Sequence, residues 1–246
     1  MTHAYDVTTY GERMAEVYDE WPGLPQNTDA VVASLTRLAG PGPILELGIG
    51  TGRIALPMAQ HGLSVHGIDA SRAMVAKLRA KPGGEHIPVT IGNFADMAIE
   101  GRFTLIFVVF NTFFGLLSQD DQVRCFLGIA QHLTDDGVFV LEAFVPDLTR
   151  FDRGQRVGVH TVETDYVHLE ATVHDPVQQR LVSQHAVLSE KGTRLYPVQV
   201  RYAWPSELDL MARLAGLRLR NRWGGWGQEP FTAASGSHVS VYAHAT

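Results

Sequence analysis

Residues 43–53, Pro-Ile-Leu-Glu-Leu-Gly-Ile-Gly-Thr-Gly-Arg, constrain the fold more than any other stretch of this chain. A short apolar run, Ile44 to Leu47, is what a strand buried on both faces needs. Glycines then fall at alternate positions, 48, 50 and 52, and an apolar segment from Ile54 to Ala59 reads as the start of a helix. Strand, tight glycine turn and helix N-terminus together form a crevice of the nucleotide-binding type. The spacing narrows the ligand. A dinucleotide fingerprint would place its third glycine at position 53, which is Arg53, and no Lys-Ser or Lys-Thr follows the last glycine as a phosphate loop requires.

The remainder of the first 150 residues alternates between strand and helix. Residues 8–21 read as one amphipathic helix, with Tyr10, Met14, Val17, Tyr18 and Trp21 at three- and four-residue steps. Either this helix packs on the main domain or it forms a lid, and residues 22–25 (Pro-Gly-Leu-Pro) end it. A second helix runs to Leu38. After the glycine turn come a strand over 61–69 ending in Asp69, a helix capped by Ser71, and a strand over 87–92. The most apolar stretch, 103–110, reads as the central strand. Ser118 opens a further helix with capping-box spacing, and residues 135–137 turn into a fifth strand over 138–144. Five alternations predict a doubly wound, mostly parallel sheet.

From Val157 to Trp204 the period changes to two, which predicts an inserted antiparallel sheet of about three strands. In it Val167, Leu169, Ala171 and Val173 share one face, with Tyr166, His168, Glu170, Thr172 and His174 on the other. Residues 205–216 return to helix, opened by proline and closed by glycine. Strands over 217–223 and 239–243 flank a glycine-rich loop. The chain thus divides into an N-terminal lid helix (1–27), a cofactor domain (28–150 and 205–246) and the inserted sheet (151–204).

Composition sets outer limits. The chain is 45% hydrophobic and 19% charged, as a folded soluble protein would be. A net charge of −6 argues against a nucleic-acid partner. No signal core or membrane-length apolar run is present, so a cytoplasmic location without membrane attachment is expected. The single cysteine, Cys125, excludes an internal disulfide and a cysteine-rich metal site, and reads as a packed core thiol.

With the glycine turn, Glu46 ahead of it and Asp69 downstream, the chain resembles the class I S-adenosylmethionine-dependent methyltransferases, strongly over residues 43–146. The resemblance implies a Rossmann-like seven-stranded sheet in the order 3-2-1-4-5-7-6, its last strand antiparallel. It implies S-adenosylmethionine as cofactor, held by Tyr18, Glu46, Gly48, Gly50, Asp69, Ala70, Asn93, Phe94 and Val109. Asp69 offers two oxygens to the vicinal ribose hydroxyls, and Asn93 and Phe94 meet the adenine. Asn93 stands where many members carry Asp, keeping the acceptor oxygen. Val109 closes the far side of the adenosine pocket, and Glu46 either holds the turn or favours the sulfonium. The implied reaction is in-line methyl transfer to a nitrogen or oxygen of a small molecule, of the kind found among natural-product and amino-sugar methyltransferases.

The acceptor is expected at the ends of the fourth and fifth strands, with Asn111 as orienting residue unless it is a turn amide. The inserted sheet is the expected cover. His160, His168, His174 and His185 lie in it, and His168 is the candidate base among residues that otherwise read as a solvated strand face. The sequence spacings of these histidines do not suggest a metal site. Tyr166, Tyr196, Arg201, Tyr202 and Trp204 line an acceptor pocket, a homodimer surface, or simply the packing. Two other readings stay open: a fold that binds the cofactor for a non-methylating reaction, and a non-enzymatic binding module.

Overall fold

The computed structural model describes residues 4–21 and 27–245. The expected stop at 22–25 lies outside them. Among the described residues, six α-helices and eleven strands form two sheets. The larger sheet has seven strands: β1 (Ile44–Leu47), β2 (Val65–Asp69), β3 (Val89–Ile91), β4 (Phe103–Val108), β5 (Leu133–Phe144), β10 (Leu217–Trp223) and β11 (Ser237–His244). Their spatial order is β3-β2-β1-β4-β5-β11-β10, with β11 antiparallel to both neighbours. Because β10 and β11 are the sixth and seventh strands of this sheet, the expected order holds.

Side chains alternate across the sheet and build a core on each face. Leu45, Leu47, Ile106, Val108, Phe139 and Leu141 pack with α5 (Gln119–His132) and α6 (Pro205–Leu214). Ile44, Leu105, Phe107, Val138 and Val140 pack with α2 (Thr28–Leu38) and α3 (Ala55–Gln60). The central strand β4 is buried nearly throughout, which explains its uninterrupted apolar sequence. Cys125 is fully buried in the first core, and burial pushes its thiol far above the usual range. Ser71 and Ser118 cap α4 (Arg72–Arg79) and α5, accepting the backbone N–H of Met74 and Asp121. No helix among the described residues is long and apolar enough to cross a membrane.

Three expectations are corrected. Residues 8–21 are not one helix: α1 covers Thr9–Met14 only, followed by a single 3₁₀ turn at Tyr18–Glu20. β5 begins at Leu133, through the expected turn at 135–137, with a register irregularity opposite Phe103–Leu105. The inserted sheet has four strands: β6 (Gln155–Val162), β7 (Tyr166–Asp175), β8 (Arg180–Ser189) and β9 (Gly192–Arg201). β6 escaped separate counting, although the period-two stretch begins within it, because a bulge between Val159 and Thr161 interrupts its alternation.

The inserted sheet is also inverted relative to expectation. His168 and Thr172, on the polar face of β7, are buried, with His168 only 1% exposed. On the apolar face Val157 is 72% exposed, and Val159, Val173, Val182 and Leu195 are exposed as well. The polar face packs inward because it meets the N-terminal segment: Tyr196 joins Met14, Ala15 and Met74 in a small third core. A buried polar joint fixes β9 to the main domain. Arg201 donates to Gln122 Oε1 (2.6 Å), Gln179 Oε1 (3.0 Å) and Glu207 Oε1 (2.8 Å), and Gln122 Nε2 donates back to the Arg201 carbonyl (2.8 Å). Arg201 and Tyr202 are therefore packing residues; Tyr202 is buried with its hydroxyl 3.0 Å from His174 Nε2.

Candidate functional site

The carboxyl ends of β1, β2, β4 and β5 converge on the glycine turn, the place where open α/β sheets bind ligands. Gly52 has φ +80°, and a side chain there would collide with Leu78 of α4, so the turn rests directly on that helix. Gly50, at φ +55°, behaves differently: a Cβ would face open space, with only the Gly48 carbonyl at 3.9 Å. The outer side of the turn is free for a ligand to approach the backbone.

Asp69 ties this turn to the next helix. Its Oδ2 accepts the Gly50 N–H at 2.7 Å and its Oδ1 accepts the Ser71 N–H at 2.8 Å. Burial nevertheless pushes its carboxyl above the usual range. Glu46 is 4% exposed and is raised well above the ordinary value, first by burial and then by the neighbouring charge of Asp69. Its carboxylate takes the Ala55 N–H, while Oε2 is buried without a hydrogen-bond partner. An orphaned buried carboxylate oxygen is costly unless a cation or donor completes it. Arg53 stands nearby with its guanidinium 3.7 Å above the Phe110 ring, and its charge lowers Glu46.

The other expected cofactor residues surround the turn to different degrees. The Phe94 ring is buried, its edge 3.8 Å from where a Cβ on Gly48 would lie. Asn93 uses Oδ1 to accept the Ala95 N–H at 3.0 Å, so the acceptor oxygen expected to face outward also caps its own turn. Ala70 is half-buried beside Asp69, and Val109 is buried in the core shared with α2 and α3. The Tyr18 phenol is half-buried within the influence of Arg53, Glu46 and Asp69, and burial raises it.

At the end of β4 the backbone is strained. Phe110 (φ +56°) and Asn111 (φ +65°) are consecutive left-handed residues, a conformation costing roughly 1–3 kcal/mol each outside glycine. Two contacts to β5 hold it. Glu142 Oε2 accepts the Phe110 N–H at 2.9 Å, and Asn111 Oδ1 accepts the Phe144 N–H at 2.7 Å. Glu142 Oε1 also accepts the Trp226 indole N–H at 2.8 Å, and burial raises this carboxyl. Asn111 is thus the turn amide of the two readings with respect to its oxygen. No hydrogen bond or ring contact joins it to His168 among the described residues.

Sequence reasoning missed how the N-terminal segment is fastened. Asp19 accepts from Thr51 Oγ1 (2.6 Å) in the glycine turn and pairs with Lys81 Nζ (2.7 Å), which also donates to the Thr51 carbonyl (2.8 Å). Glu12 accepts from Ser71 Oγ (2.8 Å) and the Ala73 N–H (3.1 Å). Neither acid belongs to a motif, and only the fold brings them to the turn. Trp226 did carry a signal, as a lone aromatic within a glycine-rich loop. At the end of the same N-terminal segment, Trp21 meets His168, His185 and Tyr196 edge-on at 4.9, 5.7 and 5.0 Å.

Comparison with known proteins agrees with this geometry. The sequence pattern of a methyltransferase domain matches residues 44–137. The solved CcbJ methyltransferase from Streptomyces caelestis is 43% identical, with a TM-score of 0.93 covering 98% of this chain and 100% of that one. The cypemycin N-terminal methyltransferase of a Streptomyces species is 28% identical over 233 residues, 94% of this chain and 95% of that protein. The fold alone is shared with CalS10, an amino pentose methyltransferase from Micromonospora echinaspora solved with S-adenosylmethionine. CalS10 is 20% identical with a TM-score of 0.67, covering 98% of this chain and 99% of that one. On the glycine turn, the sheet order and the full-length match to CcbJ, the chain belongs to the class I S-adenosylmethionine-dependent methyltransferases.

Proposed function

We propose that this methyltransferase acts on an amine nitrogen of a small molecule, with a hydroxyl oxygen as the second choice. The observation that carries the cofactor side is the open flank of Gly50 between the buried carboxyl of Glu46, which has an unpartnered oxygen, and the half-buried one of Asp69. Such a site fits a cationic, nucleoside-bearing ligand. Asp69 takes the ribose hydroxyls with Ala70 beside it, Asn93 and Phe94 flank the adenine, and Val109 backs the adenosine. Gly50 leaves the backbone open to the methionine portion, Gly48, whose Cβ position is taken by the Thr112 methyl, turns the chain toward it, and Glu46 supplies negative charge near it. Tyr18, in the segment latched by Asp19 and Glu12, closes over the site as a lid.

S-adenosylmethionine supplies an electrophilic methyl group on a positively charged sulfur. The chain's own work is to align the acceptor and keep water out. Asn111, held at the strained end of β4, orients the acceptor through its amide group, and Trp21 and the inserted sheet cover it. His168 is not assigned as base, because its Nε2 is engaged by His185 Nδ1 at 3.0 Å and its ring is buried against Trp21. The amine preference draws on the cypemycin relative, whose name places its methyl on an N-terminus, and on chemistry: a neutral amine is nucleophilic without a strong base.

The test is a binding titration with S-adenosylmethionine, S-adenosylhomocysteine and NAD, followed by transfer of a labelled methyl group to paired amine and hydroxyl acceptors. Tight binding of the first two and label in the amines is expected. Stronger NAD binding overturns the cofactor assignment, and label confined to hydroxyls overturns the amine preference.

The outward apolar face of the inserted sheet supports a second element of this reading, a homodimer. Three ten-residue strands and the eight-residue β6 present about 600 Å² per copy, enough for an interface of standard size when two copies meet. A cleft of about 370 Å³ lined by Val157, Ala171, Val173, Val182 and Pro197 lies on it. Light scattering should give a dimer for the native chain and a monomer for Val159→Asp. A native monomer removes the dimer from the proposal.

A further inference from the structure

The three imidazoles of His160, His168 and His185 come from three adjacent strands, and we propose that they form a binding site for a divalent transition-metal ion of the zinc class. Each offers one ligand nitrogen, and these atoms all lie within 4.8 Å of one another. Neither sequence spacing nor strand pairing alone makes the cluster. His168 of β7 pairs with Val187 and His185 of β8 pairs with Glu170, so the two histidines are diagonal neighbours on the inward face. His160 is the extra residue of the β6 bulge, which places both it and Thr161 opposite His168. A bulge on an edge strand re-aims a side chain, and here the imidazole lies over His168 with ring centroids 4.6 Å apart.

The distances suit a tetrahedral ion. His168 Nε2 and His185 Nδ1 are 3.0 Å apart. Two nitrogens bound to one zinc at ~2.0–2.1 Å stand about 3.3 Å apart in tetrahedral geometry, so this pair needs almost no movement. The widest separation, 4.8 Å, closes by rotation of an exposed side chain, since His160 is solvent-exposed on the outermost strand. That exposure also provides the entry path. Glu170, across from His185, holds Oε2 at 3.3 Å from His160 Nε2 and brings a negative charge to the rim, shared with Arg156 at 3.9 Å.

Hydrogen bonding within the chain does not account for the cluster. The contact between His168 Nε2 and His185 Nδ1 shares a single proton, which an ion held between the two nitrogens would replace. Two of the three rings are sheltered by Trp21, which packs edge-on against His168 and His185. The face that buries these imidazoles does so while leaving valines and leucines in solvent on the other side. Three borderline-soft nitrogen donors with one coordination position left for water or an exogenous ligand match zinc, cobalt or nickel rather than magnesium or calcium. The ion would clip β6, β7 and β8 together at the point where the N-terminal segment lands.

The test uses the full chain, stripped with a chelator and titrated with cobalt(II) and then zinc(II). One equivalent of cobalt with the intense visible absorption of a tetrahedral centre is expected, with zinc displacing it and raising Tm. His160→Ala and His185→Ala should each lower cobalt affinity by at least the ~10–100-fold that loss of an outer partner alone costs. His86→Ala, on an exposed turn elsewhere, should bind as the native chain does. His168→Ala is read only alongside circular dichroism, because the residue is buried. Substoichiometric binding, absence of the absorption, or native affinity in both His160→Ala and His185→Ala overturns the proposal. This outcome is independent of methyl transfer.

Discussion

The glycine turn and the inserted sheet are built on opposite principles. Around the turn, each conspicuous residue has a local reason: glycine where a helix packs against the backbone, an acid where two N–H groups need an acceptor. In the inserted sheet the local rule is broken, with histidine, threonine and arginine inside and valine and leucine outside. In our proposal the first region is the ligand cradle. The second gains its sense from what it touches, the N-terminal segment on one side and, in our proposal, a second copy on the other.

If the two regions are separable, disturbing one should leave the other's chemistry intact. The largest effect is expected at their joint. Arg201→Ala strands the Glu207 carboxylate and the two amide partners Gln122 and Gln179 in a buried network, and such losses cost about 3–5 kcal/mol. Urea unfolding should show this, with cofactor affinity of the folded fraction unchanged. A parallel fall in affinity would show that sheet and cradle act as one.

Next comes the cradle itself. Asp69→Ala removes the acceptor of two backbone N–H groups and, in our proposal, of the ribose hydroxyls. Calorimetry should record about a hundredfold weaker S-adenosylmethionine binding, or roughly 3 kcal/mol, and labelled transfer should be lost with it. Unaltered affinity would break the assignment.

A pH experiment of similar size concerns the main sheet alone. His238 on β11 is fully buried, and burial lowers its pKa to about 4 from the usual 6.5. Between those values the unfolded chain binds a proton that the folded chain refuses. Stability is therefore lost as pH falls from 6.5 to 4, by about 3 kcal/mol from this group. Comparing native protein with His238→Gln by urea titration at pH 7 and 4.5 isolates it, the variant showing the shallower decline. Equal declines would mean that His238 does not carry the effect.

The smallest effect should appear at the latch. Asp19→Ala loses one hydrogen bond and one half-exposed ion pair, together worth about 1 kcal/mol, or roughly fivefold in cofactor affinity. Faster cofactor dissociation in stopped-flow is the expected form. No change in that rate would separate the N-terminal segment from the cradle.

The contrast also explains what was legible in the sequence. Strand β1, the caps Ser71 and Ser118 and the acid at the end of β2 follow from short-range pattern, because each is satisfied by residues within one βα unit or the next, whereas the sheet order is implied by the family resemblance. The single helix expected over 8–21 failed for the opposite reason. Past the end of α1, Asp19 reaches Thr51 and Lys81, and no local propensity records those contacts. The histidine cluster was invisible for a third reason. Its members lie on three strands and depend on a bulge, so only register brings them together. Likewise Glu142 reads as one more strand residue until the fold places Phe110 and Trp226 on its two oxygens.

The left-handed joint at Phe110 and Asn111 has a consequence for anyone seeking a hardier version of this protein. Glycine at 111 would relax the backbone and, by that measure, resist heat better. It would also delete the amide that holds Phe144. Strain relieved and hydrogen bond lost are set against each other at this position, so a melting temperature that hardly moves would still conceal the loss of the tie between the end of β4 and Phe144.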